Sequence, residues 1–506
     1  MPQKNFIDSS APRSDNSTMT SDRVHELPLI LIHALENIVG SKNVMTRRSE
    51  TLVYDCDGLT LHKALPGAVV FVSSTEEVSR VVKACCAANH PYLARGAGTG
   101  LSGGAAALNH AIVIEMARMN HILEINAVER YAIVEPGVIN ADVTKACSSY
   151  GLHFAPDPSS QNACTIGGNV AENSGGPHTL KHGVTTNHIL GLEVVMPDGD
   201  VLTFGDPTRG AQGYDLAGLF TGSEGTFGIA TKIWCKLTPN PEAVKTLLAI
   251  FPSIDSASRS VSGIIAAGII PAALELIDKN IIRAVESWLH LGFPPDANAI
   301  LLIELDGLRD GLEALAESVS AVCRKNGCLS VRSARDNSER LLLWKARKQA
   351  FGAIGRISPS FYVQDGVIPR TRLPEVLVKI EASGIKHGLQ MANVFHAGDG
   401  NLHPLILFDE RDPRQVARAM DCNIEVLEAV IAVGGMLSGE HGIGLEKLEF
   451  MPRVFSENDM DGMRKIRNVF DPLHLCNPGK VVPTRRCLEV KGRVAPSIPF
   501  GVRRAT

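Results

Sequence analysis

The chain has 506 residues, 44% of them hydrophobic and 21% charged, and these proportions are typical of a folded globular protein and exclude a mainly disordered or fibrous one. Lysines and arginines number 50 and aspartates and glutamates 54, so the net charge of −4 provides no positive field for binding a nucleic acid. At roughly 150 residues per domain, the length predicts two large domains or three smaller ones.

The cysteines and apolar runs indicate the cellular environment. Eleven cysteines without any C-x-x-C spacing predict neither a disulfide framework nor an iron–sulfur site. The longest apolar runs, such as 264–274, are shorter than the roughly 20 residues that cross a bilayer. The Ser-rich start lacks the features of a secretory signal. We therefore expect a cytoplasmic protein with reduced thiols and no transmembrane segment.

The first half of the chain is rich in predicted strands. The spacing of Ser74 and Glu77 is that of a capping box, and apolar residues recur at helical intervals from Val78 to Cys86, which predicts a helix ending near Asn89. Asn140 is placed to cap a second helix that ends before residue 151. Short apolar runs predict strands at 68–72, 91–95, 111–115, 131–135, 190–196, 201–204 and 229–237. The Pro-Asp-Gly-Asp turn between 190–196 and 201–204 predicts that these two strands form a hairpin.

Prolines 239 and 241 interrupt this pattern, and longer helices follow them. Strands are predicted at 245–251 and 299–305, and helices at 312–326 and 457–470. We expect an N-terminal extension over 1–45, a first domain over 46–240, a second domain over 241–433, a C-terminal segment over 434–485 and a tail over 486–506.

Three glycine-rich segments predict a large anionic ligand. Residues 95–104 hold five glycines directly after a predicted strand, so backbone amides there can approach a diphosphate without Cβ obstruction. The segment is not the G-x-G-x-x-G fingerprint, because Leu101 occupies the place of the third glycine. Residues 156–176 and 221–228 combine glycine with small, hydroxyl and amide side chains in the same manner.

In this order the three loops resemble those of the vanillyl-alcohol-oxidase type of flavoprotein over about residues 50–240. The resemblance implies an α+β protein with a two-subdomain FAD-binding domain over 46–240, an α+β cap domain that holds the substrate over 241–433, and a C-terminal helical segment closing on the flavin. No histidine stands in the first loop, where many relatives attach the flavin covalently, so noncovalent FAD is expected. The residues expected to bind FAD are Arg95, Gly96, Ala97, Gly98, Thr99, Gly100, Leu101, Ser102, Pro156, Asp157, Ser159, Thr165, Gly167, Gly168, Asn169, Asn173, Gly175, Gly176, Glu224, Gly225, Gly228, Ile229 and Asn477.

Two histidine-containing segments predict a metal site. His396 and His403 flank a Gly-Asp-Gly turn between apolar strands, and a hairpin there would bring the two imidazoles side by side. The glycine-rich loop 438–444 adds Glu440 beside His441. Two histidines and one glutamate suit a divalent ion such as zinc or manganese and leave coordination positions open for a substrate.

These segments, with Trp344–Arg347, 365–370 and 477–480, narrow the resemblance to the family of glycolate oxidase flavin subunits and D-lactate and D-2-hydroxyglutarate dehydrogenases. In the 2-hydroxyglutarate relatives, the first segment supplies an arginine for the substrate carboxylate, which corresponds to Arg347. Those relatives also carry a lysine where this chain has Tyr362, Val363 and Gln364, so a short monocarboxylate is favoured. Arg356 and Arg370 are alternatives to Arg347.

The family implies a reaction and partners. A metal-bound 2-hydroxy acid, preferably glycolate with D-lactate as a second candidate, would lose its hydroxyl proton to His441 and a hydride to the flavin, and Arg347 would hold its carboxylate. Electrons would leave through an iron–sulfur subunit, in a complex with a second FAD-fold subunit peripheral to the inner membrane. The open alternatives are a D-lactate or D-2-hydroxyglutarate dehydrogenase, a non-catalytic FAD-binding subunit, and a flavin lyase or synthase without net redox chemistry.

Overall fold

The computed structural model describes residues 27–206 and 213–483. The predicted tail 486–506 and the first 26 residues of the predicted extension lie outside the described residues. The cysteines in the described ranges are free thiols.

A four-stranded sheet presents the first glycine loop. Its strand order is Val44–Met45, Ala68–Phe71, Ile112–Glu115 and Tyr92–Arg95, and the last three strands are parallel. Helix Thr75–Ala87 connects two of them and begins where the Ser74 hydroxyl accepts a hydrogen bond of 3.2 Å from the Glu77 amide. Helix Leu29–Val39 packs in the same core. Because Arg95 ends its parallel strand, the glycine loop leaves from the carboxyl edge of the sheet, where ligands of such sheets bind.

A five-stranded antiparallel sheet carries the other two glycine segments. Its order is Ile122–Asn126, Tyr131–Val134, Ile229–Lys236, Ile189–Val195 and Val201–Gly205. The last two strands confirm the predicted hairpin. The expectation for Asn140 is wrong in detail, because it is the first residue of helix Asn140–Cys147 and its amide donates to the Pro156 carbonyl at 3.0 Å. Strands Leu152–His153 and Thr238–Pro239 form a small separate pair.

The second half forms a nine-stranded sheet. Seven strands follow one another in the order Ser330–Ser333, Ala243–Phe251, Ala299–Gly307, Ala273–Asp278, Gln390–His396, Asn401–Leu402 and Gly366–Val367, and Pro404–Phe408 joins Ser360–Val363 beside them. Alternate side chains along the central strands enter two apolar cores, since successive residues of a strand point to opposite faces. The α-helices of the described chain are those already named and Arg48–Thr51, Ile166–Glu172, Thr179–His182, Leu216–Phe220, Ile254–Ala266, Lys279–Leu289, Leu312–Lys325, Asn337–Lys348, Ala350–Ile354, Leu373–His387, Pro413–Ala432, Met451–Val454 and Glu457–Phe470.

The C-terminal residues of the described chain return to both sheets. Met436 bridges Val367 at the edge of the large sheet, and Cys476 bridges Tyr92 in the first sheet. The loop containing Glu440 and His441 is thereby held between the glycine loops and the large sheet.

Candidate active site

A cavity of about 420 Å³ opens between the glycine loops and the large sheet. One wall is polar and glycine-rich, and the other carries Phe351, Phe361 and Val363. Most of the predicted FAD residues line it, namely Arg95, Gly96, Ala97, Gly98, Thr99, Gly100, Leu101, Ser159, Thr165, Gly167, Gly168, Asn169, Glu224, Gly225, Gly228, Ile229 and Asn477. His403, Glu440 and His441 line the same cavity. The two sites predicted separately therefore share one space.

The glycine-rich wall fits a dinucleotide. A Cβ at Gly96 would overlap the Thr165 hydroxyl, and Gly98 has a φ of +65° with the Arg95 guanidinium against the place of its Cβ. Among the described residues, Arg95 Nη1 and Asn169 Nδ2 are buried donors without a hydrogen-bond partner. Buried donors almost always have a hydrogen-bond partner. We therefore infer that these two donors bind a ligand acceptor such as a phosphate oxygen.

Six of the predicted FAD residues do not line this cavity, namely Ser102, Pro156, Asp157, Asn173, Gly175 and Gly176. The Ser102 carbonyl accepts from the Leu445 amide at 2.9 Å, and the Asn173 side chain accepts from the Thr186 amide at 2.8 Å. These residues bind neighbouring loops and so shape the cavity from behind.

The remaining members of that group also contact protein. Asp157 pairs with His178 at 2.9 Å and Lys348 at 3.1 Å, and Gly176 packs against the Asp157 backbone. Gly175 lines a second cavity of about 150 Å³, and Glu440 lines both cavities.

Glu224 joins the third glycine segment to the histidine loop. Its carboxylate accepts hydrogen bonds of 2.7 Å from the amides of Ile443 and Gly444. Burial, and then the neighbouring Glu224 charge, raise the pKa of Glu172, which also lines the cavity. Glu224 is one of the residues expected to bind FAD, and its carboxylate is occupied by the loop that carries His441.

Asn477 closes the first glycine loop from the C-terminal side. Its side-chain amide donates to the carbonyls of Gly104 at 3.0 Å and Glu224 at 2.8 Å. The buried Lys480 ammonium donates to Asn477 and to the carbonyl of Ala106, both at 2.8 Å. Burial lowers the pKa of Lys480 to about 8.

The three predicted metal ligands converge. Glu440 Oε1 lies 3.2 Å from His396 Nε2 and 3.3 Å from His403 Nε2. Their ligand atoms all lie within 4.8 Å of one another, and a second group with the same property contains Asp365, His403 and His441. His403 belongs to both groups, and its ring stacks on His441 at a centroid distance of 4.9 Å.

The donor set fits a divalent metal ion. Within the described chain neither ring nitrogen of the buried His403 has a hydrogen bond, although two carboxylates lie within 3.5 Å of its Nε2. A buried imidazole without hydrogen-bond partners, close to two carboxylates, suits a cation shared between imidazole and carboxylate ligands. Behind the site, Glu275 accepts from His396 Nδ1 at 2.8 Å, which leaves Nε2 to face Glu440.

The electrostatics keep the Glu440 carboxylate ionised and the His441 imidazole neutral, and although burial opposes it, the Glu275 and Glu440 carboxylates raise the pKa of His396. Burial alone would raise the pKa of Glu440, but His396 and then His403 and His441 outweigh it and lower that pKa to about 2. Burial lowers the pKa of His441 to about 4 despite the nearby Asp365 carboxylate. Glu440 is therefore anionic and His441 is a neutral imidazole at neutral pH.

Asp365 holds the loop that contains Glu440 and His441. Its buried carboxylate accepts from the Ser438 hydroxyl at 2.6 Å, from the backbone amides of residues 439–441 at 2.8–3.2 Å, and from the Lys447 ammonium at 3.3 Å. The sequence places Asp365 in a recognisable segment, but no local signal shows that its partners lie some 75 residues further along the chain.

Arg347 does not line the cavity, its buried Nη1 has no hydrogen-bond partner in the described chain, and its role in holding the substrate carboxylate stays a prediction. Its side chain is 0% exposed and its Nε donates to Glu275 at 2.6 Å, behind His396. Arg356 and Arg370 are the two alternatives to Arg347. Arg356 is exposed, and the guanidinium of Arg370 donates to the Gly398 carbonyl at 3.2 Å. Neither of them lines the cavity.

Sequence reasoning missed Lys348, the next residue after Arg347, and Phe351, one turn further along. Both line the cavity. The available signal was the helical interval of three residues between them, which places two side chains on one face.

The comparisons with known proteins agree with this geometry. Residues 66–205 match the FAD binding domain model, and residues 240–481 match the model of the C-terminal domain of FAD linked oxidases. Glycolate oxidase subunit GlcD of Escherichia coli strain K12 is 46% identical over 460 residues, which cover 91% of this chain and 92% of the relative. A probable mitochondrial D-lactate dehydrogenase of Danio rerio is 31% identical over 95% of this chain and 96% of its own.

Solved structures share the fold at lower identity. The 4-ethylphenol oxidase of Gulosibacter chungangensis superposes with a TM-score of 0.75 at 21% identity, covering 90% of this chain and 98% of its own. p-Cresol methylhydroxylase superposes with a TM-score of 0.73 at 20% identity, covering 90% and 96%. The predicted α+β fold class and FAD cofactor are confirmed. In the two described ranges, no helix is both long enough and apolar enough to cross a bilayer.

Proposed function

The chain belongs to the family of FAD-linked oxidases that contains glycolate oxidase subunits and D-lactate dehydrogenases, and we propose that it oxidises a small 2-hydroxy acid, glycolate to glyoxylate in the first place and D-lactate in the second. The observation that carries this proposal is the shared cavity, in which the glycine-rich wall faces His403, Glu440 and His441. FAD is bound without a covalent link, because the first loop offers no histidine for attachment.

Different groups of residues serve different parts of the reaction. The glycine-rich wall would hold FAD, which would supply the acceptor for the hydride from the substrate Cα, and His396, His403 and Glu440 would hold a divalent ion that would polarise the substrate hydroxyl. His441 takes the hydroxyl proton, since its imidazole is neutral and faces the same cavity. Loss of one hydride and one proton converts the alcohol carbon into the carbonyl of a 2-oxo acid.

The cavity favours a short substrate. Phe351, Phe361 and Val363 close its far side, and the nearby Tyr362 hydroxyl is turned away to donate to Glu446 at 2.9 Å. A second carboxylate, as in 2-hydroxyglutarate, would meet apolar side chains there. A subunit without turnover would have no use for the imidazole and carboxylate groups that open onto the FAD wall, so we regard this chain as the catalytic one.

Electrons leave the reduced flavin through other proteins. We infer an iron–sulfur subunit and a second FAD-fold subunit as partners, in a complex peripheral to the inner membrane. The supporting facts are that the Escherichia coli relative is itself named a subunit and that the sequence shows no iron–sulfur ligand run.

The decisive experiment is dye-linked oxidation of a panel of 2-hydroxy acids by purified enzyme, before and after treatment with a metal chelator. We expect turnover highest with glycolate, loss of activity with chelator, and recovery with added Zn²⁺ or Mn²⁺. Acid precipitation should release the FAD into solution. Turnover that is unaffected when metal analysis finds no bound ion would contradict the metal role, and activity with none of the acids would contradict the function.

A further inference from the structure

Lys348 is a basic side chain of the cavity lining that comes from the half of the chain containing the histidine cluster. It is the last residue of helix Asn337–Lys348, and its side chain is 24% exposed while that of its neighbour Arg347 is fully buried. One residue corresponds to a rotation of about 100° around a helix, so the two cations point into different environments. Only the lysine lines the cavity.

Neighbouring rings connect Lys348 to the metal-binding side chains. Phe351 follows it at an interval of three residues and lines the cavity beside it. The Phe351 ring lies 6.3 Å from that of His403, which in turn stacks on His441 at 4.9 Å. Phe351 therefore lies next to the histidines, and Lys348 lines the same cavity from the neighbouring end of its helix.

Asp157, the hydrogen-bond partner of Lys348 in this structure, has a second positively charged partner. Asp157 Oδ2 accepts from Lys348 at 3.1 Å and also from His178 Nδ1 at 2.9 Å. The positive charges of the two partners, with His178 first, lower the pKa of Asp157 in spite of its burial, so the carboxylate stays ionised. If Lys348 turned toward a ligand, His178 would still compensate the Asp157 charge.

Two other cations lie near Lys348 or in the cavity lining. Arg347 is paired with Glu275, although its buried Nη1 has no hydrogen-bond partner in the described chain, and Arg95 stands at the first glycine loop with its guanidinium over the Tyr54 ring. Arg95 and Lys348 are the lysine and arginine side chains that line the cavity in the described part of the chain. Of these two side chains, Lys348 comes from the second half of the chain, which also supplies Phe351 and the histidine cluster.

We propose that Lys348 binds the carboxylate of the substrate and sets the preference for short monocarboxylates. This inference rests on the proposed function, because it presupposes a 2-hydroxy acid in the cavity. The ammonium–carboxylate hydrogen bond forms already in the ground state, so it acts on binding more than on the chemical step. Phe351 beside it limits the length of the acid.

The test compares Lys348→Met, Lys348→Arg and Lys345→Met, each loaded with FAD. Lys345 is on the same helix but is exposed over the Trp288 ring, so its variant is the matched control. Binding of oxamate, a small monocarboxylate, is measured by the change in flavin absorbance, and the neutral amide glycolamide serves as the uncharged probe. We expect Lys348→Met to weaken oxamate binding and raise the KM for glycolate by roughly 10- to 100-fold, with glycolamide binding and the limiting rate of flavin reduction within about threefold.

Further outcomes have distinct meanings. Lys348→Arg should recover most of the lost affinity, and Lys345→Met should match the parent. Unchanged oxamate binding in Lys348→Met overturns the inference while leaving the proposed function intact, and so does loss of FAD from that variant, since the ammonium would then serve the cofactor. A parent enzyme that neither binds oxamate nor turns over any 2-hydroxy acid overturns the proposed function and this inference together.

Discussion

Replacement of Arg347 by methionine separates a structural from a catalytic role for this residue. Both Nε and Nη2 of Arg347 contact the same oxygen of Glu275, at 2.6 and 2.5 Å, and both side chains are 0% exposed. The other oxygen of Glu275 accepts from His396 at 2.8 Å. Methionine fills a similar volume but leaves the buried carboxylate with one charged partner instead of two.

The magnitude follows from the cost of an uncompensated buried charge. Removing one partner of a buried ion pair destabilises a protein by about 3–5 kcal/mol, and we expect the lower end because His396 remains in contact with Glu275. With a denaturant slope near 3 kcal/mol per M, the urea midpoint should fall by about 1 M. The double variant Arg347→Met with Glu275→Gln should recover much of this loss, because no buried charge is then left unpaired.

The assay is urea unfolding of the FAD-loaded enzyme, followed by far-UV circular dichroism and by flavin fluorescence. The control is Arg340→Met on the same helix, whose partner Glu304 keeps hydrogen bonds from Thr246 and Trp344. Arg340 is 28% exposed, so its loss should cost clearly less. If Arg347→Met keeps the parent midpoint and instead raises the KM for glycolate, the buried-pair argument fails and Arg347 holds the substrate carboxylate after all.

Three further predictions concern the cluster and its surroundings. His403→Ala should lose the bound metal and activity but retain FAD, and metal analysis beside the flavin spectrum checks this; full metal content would exclude His403 as a ligand. Asp365→Asn weakens the hydrogen-bond acceptor for three backbone amides. It should lower the metal affinity, measured by competition with a chelator, by about 10- to 100-fold at unchanged FAD content. A metal affinity equal to that of the parent would show that the loop keeps its shape without this charge. Burial disfavours the charged form of His178, but the Asp157 and Glu304 carboxylates outweigh it and raise the pKa of His178 to about 10. The protonated His178 therefore stabilises the folded protein fully below pH 6.5, and this contribution is lost as the pH rises to about 10. The difference in Tm between the parent and His178→Gln should therefore shrink over that range, and a constant difference would refute the assignment of a charged His178.

The sequence alone was sufficient for the local elements and for the chemical nature of the site. The capping residue Ser74 and the helical apolar pattern after it predicted helix Thr75–Ala87 to within a turn. The three glycine segments indicated a large anionic ligand, because close backbone approach depends on residues without a Cβ, and their resemblance to flavoprotein loops implied that this ligand is FAD. Imidazole and carboxylate groups in two short segments likewise indicated a metal site, since ligand chemistry depends on residue type.

The tertiary structure alone decided which charged side chain faces which partner. Arg347 and Lys348 are neighbours in the sequence, yet one is buried against Glu275 and the other lines the cavity. Asp365 and Glu224 both hold the 438–444 loop, although they come from different halves of the chain. Helix and turn preferences arise from interactions between residues close in sequence, whereas the partner of a buried charge is set by the packing of distant elements, where desolvation makes an unpaired charge costly.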